Sequence, residues 1–138
     1  MDKKIITVLD VMTEVVISIE ATAKVSDAVE LMRQHNTSSI VVERRDDADE
    51  FGMITVRDIA SEVLAKNLSS ERINVYEIMS KPVLALDGDM NVVFAVRMLS
   101  RFQLNRALVT GTDRKPIGIV TLRDMVLRSL ETENTAEC

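Results

Sequence analysis

Two heptapeptides of this 138-residue chain combine residue types that do chemistry together: Gly52-Met53-Ile54-Thr55-Val56-Arg57-Asp58 and Gly118-Ile119-Val120-Thr121-Leu122-Arg123-Asp124. In each, an apolar run passes into Thr-x-Arg-Asp, the pattern of a strand that turns directly into a helix. Thr followed three residues later by an acidic side chain is close to a capping box, in which the Thr oxygen takes a backbone N–H and the carboxylate answers it. The same corner turns free N–H groups and the positive end of the helix dipole outward, where an anion is welcome, and Arg57 and Arg123 add charge beside it. An Asp one turn into the helix can accept two hydrogen bonds from a vicinal diol, as an acidic residue does for ribose in dinucleotide folds. A helix cap and a nucleotide site therefore call for the same residues, and finding them twice does not separate the two, since a duplicated cap is paired as well.

Composition removes other chemistries. One His (His35) and one Cys (Cys138) exclude a structural zinc site, and no nucleophile-base pair, metal cluster or glycine-rich phosphate loop is present, so no enzymatic activity is expected. With 46% apolar, 28% charged and 3% aromatic residues, the chain can fill an aliphatic core but offers few rings on which bases stack. A net charge of −5 has the wrong sign for holding nucleic acid through its phosphates. The apolar run Ile5 to Met12 is broken by Thr7 and Asp10, so it reads as neither a signal sequence nor a membrane span, and a cytoplasmic location is expected.

The elements that position the heptapeptides come from a repeat. One constant offset carries Met12 onto Met79, Val16 onto Val83, Val25 onto Val92, Ala28 onto Ala95, Val29 onto Val96 and Val42 onto Val109; after a one-residue gap it carries Gly52, Thr55, Arg57 and Asp58 onto Gly118, Thr121, Arg123 and Asp124. The gap falls in the polar stretch Arg45 to Glu50, expected to be a solvated hairpin loop. Each copy reads as a strand (Val15 to Ile19; Val83 to Leu86) and a helix with the apolar stripe Val25, Ala28, Val29, Met32 or Val92, Ala95, Val96, Leu99, capped by Thr22 or Asp89. Two strands follow (Ser39 to Glu43 with Gly52 to Thr55; Arg106 to Thr110 with Ile117 to Thr121), then a second helix (Val56 to Lys66; Leu122 to Leu130). A short helix or turn precedes each copy, at Val8 to Met12 and Val75 to Met79. The expected fold is mixed α+β (α/β): two β-α-β-β-α repeats, 1–68 and 69–130, packed about a pseudo-twofold axis, with a disordered acidic tail at 131–138. Met32, Met53, Met98 and Met125 fall at apolar positions and read as core, whereas His35, at the end of its helix, reads as a surface residue.

The tandem repeat, Met12-Thr13 and Met79-Ser80 ahead of each first strand, and Gly-hydrophobic-hydrophobic-Thr-x-x-Asp twice together resemble a pair of CBS domains, the Bateman module, over roughly Val8 to Leu130. The resemblance implies a regulatory role: adenosine-containing ligands such as AMP, ADP, ATP, S-adenosylmethionine or NAD bound in two clefts between the copies, with no cofactor required. It also implies pairing into a homodimer and signalling to an unknown regulated protein, with no nucleic-acid or membrane partner. The alternative is a ligand-free dimerisation scaffold whose clefts are vestigial.

Carried onto this sequence, the resemblance makes Asp58 and Asp124 acceptors for ribose diols, with Thr55 and Thr121 reaching ribose or phosphate oxygens. It assigns Val83, Leu84 and Ala85 as adenine contacts and Arg106 and Arg123 as phosphate donors to the Asp58 cleft. Val16, Ile17, Ser18, Ser38, Ser39 and Arg57 join Thr121 and Asp124 in the other. Where the second copy has Asn105-Arg106 the first has Ser38-Ser39, so the Asp58 cleft is expected to hold phosphate better.

Overall fold

In the computed structural model, which describes residues 5–14 and 16–137 with side chains through Leu130, each repeat builds one three-stranded mixed sheet. In the first, β1 (Ser18–Ile19) runs parallel to β2 (Ser39–Val42), and β2 pairs antiparallel with β3 (Gly52–Thr55). In the second, β4 (Ala85–Asp87) runs parallel to β5 (Arg106–Thr110), and β5 pairs antiparallel with β6 (Pro116–Thr121). The parallel step is bridged by the helix that parallel strands require: α2 (Val25–His35) in the first repeat and α4 (Val92–Arg101) in the second. Their stripes are buried as the spacing demands, Val25, Ala28 and Met32 on α2 and Val92, Ala95 and Leu99 on α4.

The residues divide into two compact units that do not follow the order of the repeats. Ile17–Val83 forms one; the segment before it, up to Val16, joins the chain from Leu84 onward to form the other. The compact units thus cut across the repeats, because each short leading segment docks on the unit its hydrogen bonds select. The leading helix α1 (Val8–Val11) belongs with the second repeat: the Val8 N–H donates to Met90 O (2.9 Å), the Val92 N–H to Ile6 O (2.8 Å), and Val8, Val11 and Met12 are buried in that repeat's core. A turn of 3-10 helix at Val75–Glu77 does the same for the first repeat, with the Val75 N–H on Ala23 O (2.8 Å) and the Val25 N–H on Ile73 O (2.9 Å). Val75 is buried with Ile19, Val25, Ile40, Ile54 and Val63.

The docking is closest at the glycine that heads each heptapeptide. Thr13 and Ile119 exchange a pair of backbone hydrogen bonds (2.9 and 3.0 Å), as do Met53 and Ser80 (both 2.9 Å). A methyl group on Gly118 would lie 2.5 Å from the Thr13 carbonyl oxygen and 2.6 Å from Met12 Sδ; on Gly52 it would lie 3.0 Å from Met79 Sδ and 3.0 Å from the Ser80 carbonyl oxygen. The Met-Thr and Met-Ser dipeptides therefore need the missing Cβ in order to lie flat on the strand. Past Ser80, the Lys81 ammonium sits 2.7 Å from Asp49 Oδ1 and, with the Arg45 N–H on Oδ2 (2.9 Å), holds that carboxyl well below the usual carboxylate range. The hairpin loop is pinned at this point rather than solvated throughout.

Several local expectations change. α2 begins with Lys24, not Thr22, at its cap position, and the Thr22 carbonyl accepts from the Asn74 side-chain amide (3.1 Å). α4 is capped by Asn91, whose Oδ1 accepts from the Val93 N–H (2.9 Å), rather than by Asp89. The helix after β3 is α3 (Val56–Ile59), which widens into a π-helical stretch at Ala60–Leu64 where the Ala65 N–H bonds to Ala60 O (2.8 Å). Its counterpart α5 (Leu122–Glu137) stays regular and continues through the expected tail, whose Glu and Ala residues favour helix and which holds no Gly or Pro to stop one. Val15, at the head of the expected first strand, and Cys138 lie outside the described residues.

Because the Thr13 carbonyl is backbone and cannot rotate away, Gly118→Ala is expected to destabilise by about 1–3 kcal/mol. Gly52→Ala, with its wider gap and a movable thioether, should lose less. Urea midpoints of the two variants check the order; equal midpoints would contradict it.

Candidate functional site

Each heptapeptide places its Thr at the last residue of a strand and its Asp in the first turn of the helix that follows. At the first corner the capping box is complete. Thr55 Oγ1 accepts from the Asp58 N–H (3.1 Å), while the Thr55 N–H and Oγ1–H both donate to Asp58 Oδ2 (2.9 Å each). The Val56 N–H, which would otherwise face outward, donates to Ser38 O (2.9 Å). Ser39 lies directly across the ladder from Thr55 and is buried.

The second corner shares the backbone and departs in the side chains. Thr121 Oγ1 accepts from the Asp124 N–H (3.1 Å), but among the described residues the Asp124 carboxylate accepts no hydrogen bond. The Leu122 N–H donates to Asn105 O (2.9 Å), and Arg106 takes the place across from Thr121, its Nε–H on Asn105 Oδ1 (3.2 Å). The first corner is thus a closed cap; the second presents a carboxylate that is uncommitted among the described residues, next to a residue pair containing a guanidinium. Arg57 and Arg123 both stand exposed one residue ahead of their Asp.

The remaining candidates lie in both units. Ile17, Ser18, Ser38, Ser39 and Val83 share a unit with Thr55, Arg57 and Asp58; Val16, Leu84, Ala85 and Arg106 share one with Thr121, Arg123 and Asp124. The carbonyls of Ile17 and Leu84 accept from the N–H groups of Val41 and Leu108 (2.9 Å each), so the sheets already use them. Ser18 Oγ donates to Glu43 Oε1 (3.0 Å), and the Val83 N–H donates to Phe51 O (3.0 Å). Sequence reasoning passed over Asn105 as a site residue, although it fixes both the start of α5 and the Arg106 side chain. Its one sequence signal was the Asn-Arg against Ser-Ser contrast between the repeats. Among the described residues no group of three or more His, Cys, Asp or Glu could hold a metal ion, and no helix is long and apolar enough to cross a membrane.

A duplicated mixed sheet-and-helix unit with a Thr-x-x-Asp corner in each copy defines a class of paired domains. The chain belongs to the CBS domain family, whose model matches residues 2–65 and 75–131, one match per repeat. An uncharacterised protein of Methanopyrus kandleri is 32% identical over 95 residues, 69% of this chain and 48% of that protein. The chain spans about half the length or less of the first curated relatives it matches. The hexameric CBS-CP12 protein from bloom-forming cyanobacteria superposes with a TM-score of 0.87 at 29% identity, covering 94% of this chain and 74% of that one. The CBS domain pair of protein MJ0100, solved in complex with 5′-methylthioadenosine and S-adenosyl-L-methionine, shares the fold with a TM-score of 0.78 at 24% identity, covering 94% of this chain and 99% of that one. CBS domain pairs are regulatory modules that bind ligands.

Since the Asp58 carboxylate closes a cap and that of Asp124 does not, Asp58→Ala is expected to cost about 1 kcal/mol of stability, and Asp124→Ala less than about 0.5 kcal/mol. Chemical denaturation of the ligand-free variants measures both. A larger loss for Asp124→Ala would contradict the difference between the corners.

Proposed function

We propose that the chain is a regulatory module that binds an adenosine-containing ligand, AMP, ADP or ATP before S-adenosylmethionine or NAD, and passes its liganded state to a partner protein. The observation that carries this is the Asp124 carboxylate, set one turn inside a helix beside Thr121 and accepting nothing among the described residues, a geometry suited to a ribose diol. Asp58 and Thr55 offer the same groups in the first repeat once the cap bonds are exchanged for ligand bonds. Val16, Ile17, Val83, Leu84 and Ala85 supply apolar surface for the purine. Ser18, Ser38, Ser39, Arg57, Arg106 and Arg123 supply donors for ribose and phosphate oxygens. The adenosine-containing ligands of the MJ0100 domain pair support this reading. Regulation follows if the ligand binds one of two arrangements of the protein more tightly, since only differential affinity shifts a population.

The second reading is self-association without a ligand. α4 and α5 leave Val93, Phe94, Val126 and Leu127 exposed, where the first repeat has Ser26, Asp27, Ala60 and Ser61 at matching positions. A second copy would cover such a face, and the hexameric state of the CBS-CP12 relative supports association.

One set of samples separates the two. A ligand at about a hundred times its dissociation constant stabilises by roughly 2.7 kcal/mol, so melting with AMP, ADP, ATP, S-adenosylmethionine and NAD is expected to show a rise with at least one. That rise should vanish in the Asp58→Ala/Asp124→Ala double variant. No rise with any ligand, together with a light-scattering mass above one chain, would favour the scaffold.

A further inference from the structure

We infer that the outward face of α4 and α5 receives the same face of a second copy, turned so that the acidic end of α5 (Glu131, Glu133, Glu137) meets Arg97 and Arg101 of the other copy; this rests on the self-association reading above and adds which ends meet. Both helices belong to one compact unit and pack against each other. The Leu122 N–H on Asn105 O (2.9 Å) sets the start of α5 beside the residues that follow α4. At the other end, the Val92 N–H bonds to Ile6 O (2.8 Å) just ahead of α1, and Arg128 donates to the carbonyls of Val11 and Met12 where α1 finishes. α5 therefore runs back along α4. Val93, Phe94, Val126, Leu127 and Leu130 stand exposed on the outward sides of the two helices.

The charges on this face are sorted by end. Arg97 and Arg101 follow Phe94 at i+3 and i+7 towards the end of α4, the Arg97 guanidinium lying over the Phe94 ring (5.7 Å), and Arg123 opens α5 at the same end. Arg123, Val126, Leu127 and Leu130 form one helical stripe at i, i+3, i+4 and i+7, and the positions of Glu133 and Glu137 continue that spacing. α4 holds no acidic residue, and among the described residues Arg97, Arg101 and Arg123 enter no ion pair. The helices of the first repeat differ, since Arg33 pairs with Glu30 (3.4 Å), and Lys66, just past the π-helical stretch, pairs with Glu62 (2.7 Å). A twofold pairing must be self-complementary. A face that is basic at one end, apolar at its centre and acidic at the other meets that demand when the copies run antiparallel. The apolar centre supplies the affinity and the ends fix the direction, since ion pairs at an exposed rim contribute little by themselves. The CBS family model ends at Glu131, so Glu133 and Glu137 belong to this chain beyond the family match.

Sedimentation equilibrium at low and high salt tests this on the wild-type chain, on Arg97→Glu/Arg101→Glu, on Glu133→Arg/Glu137→Arg, on the chain carrying all four substitutions, and on an equimolar mixture of the two double variants. The wild type is expected to form a dimer whose dissociation constant rises with salt. Each double variant sets like charges against each other and should weaken the dimer on the order of tenfold or more. Reversing both ends restores the match, so the chain with all four substitutions should come within about threefold of the wild type. The mixture should form a heterodimer tighter than either variant's own dimer, because one chain is then acidic at both ends and the other basic. Melting followed by circular dichroism checks that these exposed substitutions leave the fold intact. A wild-type dimer indifferent to salt, or wild-type-like dimers in both double variants, would overturn the pairing of the ends while keeping self-association. Recovery in neither the fully substituted chain nor the mixture would overturn it as well. A wild type that stays monomeric at every concentration would overturn this inference together with the self-association reading, and leave the adenosine-binding reading untouched.

Discussion

Thr13 lies against Ile119, and Ser80 against Met53, through paired backbone hydrogen bonds beside a glycine, where a Cβ would crowd the approach, severely at Gly118 and less so at Gly52. The consequences reach both units. Met12, docked over Gly118, carries α1 into the core of the second repeat, where Val8 and Val11 are fully buried. Arg128, well along α5, closes the arrangement by donating to the carbonyls of Val11 and Met12 (3.0 and 2.8 Å), satisfying groups that a helix end leaves open. In the first repeat the corresponding position is Glu62, which pairs with Lys66 at 2.7 Å, and Met79 and Val75 are held by Gly52 and Ala23 instead. A single close approach thus sets which residues finish each core and keeps β3 and β6, the strands that deliver Thr55 and Thr121, covered along one edge.

The two repeats act as internal controls for each other. They share strand order, register and the position of the Thr that starts the second helix, so differences between them are not required by the fold. Three such differences gather around the second helix: a closed cap against an unengaged carboxylate, Ser39 against Arg106, and a π-helical turn after α3 where α5 is regular. A fourth is the apolar surface on α4 and α5. Within one backbone frame, the first corner spends its carboxylate on a cap and the second, among the described residues, does not.

Much of this was legible because it is periodic or local. The strands Gly52–Thr55 and Arg106–Thr110 and the buried stripes of α2 and α4 follow from spacing and side-chain type. The exchange of leading segments was not legible, since Thr13 and Ile119 stand far apart in the chain and no period links them; the two motif glycines were visible, but not what they approach. The caps fall two residues beyond Thr22 and Asp89, at Lys24 and Asn91, since several residues of cap-forming type stand ahead of each helix and type alone does not choose among them. At the site, the Thr-x-x-Asp pattern revealed which residues meet but not how the carboxylates are spent. The same Thr-x-x-Asp pattern produces a filled acceptor at Asp58 and, among the described residues, an unengaged one at Asp124, a difference the pattern does not encode.

The central claim is that the Thr121–Asp124 corner is a ligand site and not merely a helix cap. Following backbone amide shifts while AMP is added to the 15N-labelled chain tests it most directly. The expected result is saturable movement of the Arg106, Thr121, Leu122 and Asp124 amides, larger than at Thr55 to Asp58. Saturation that moves residues elsewhere and leaves the Thr121–Asp124 corner unchanged would contradict it.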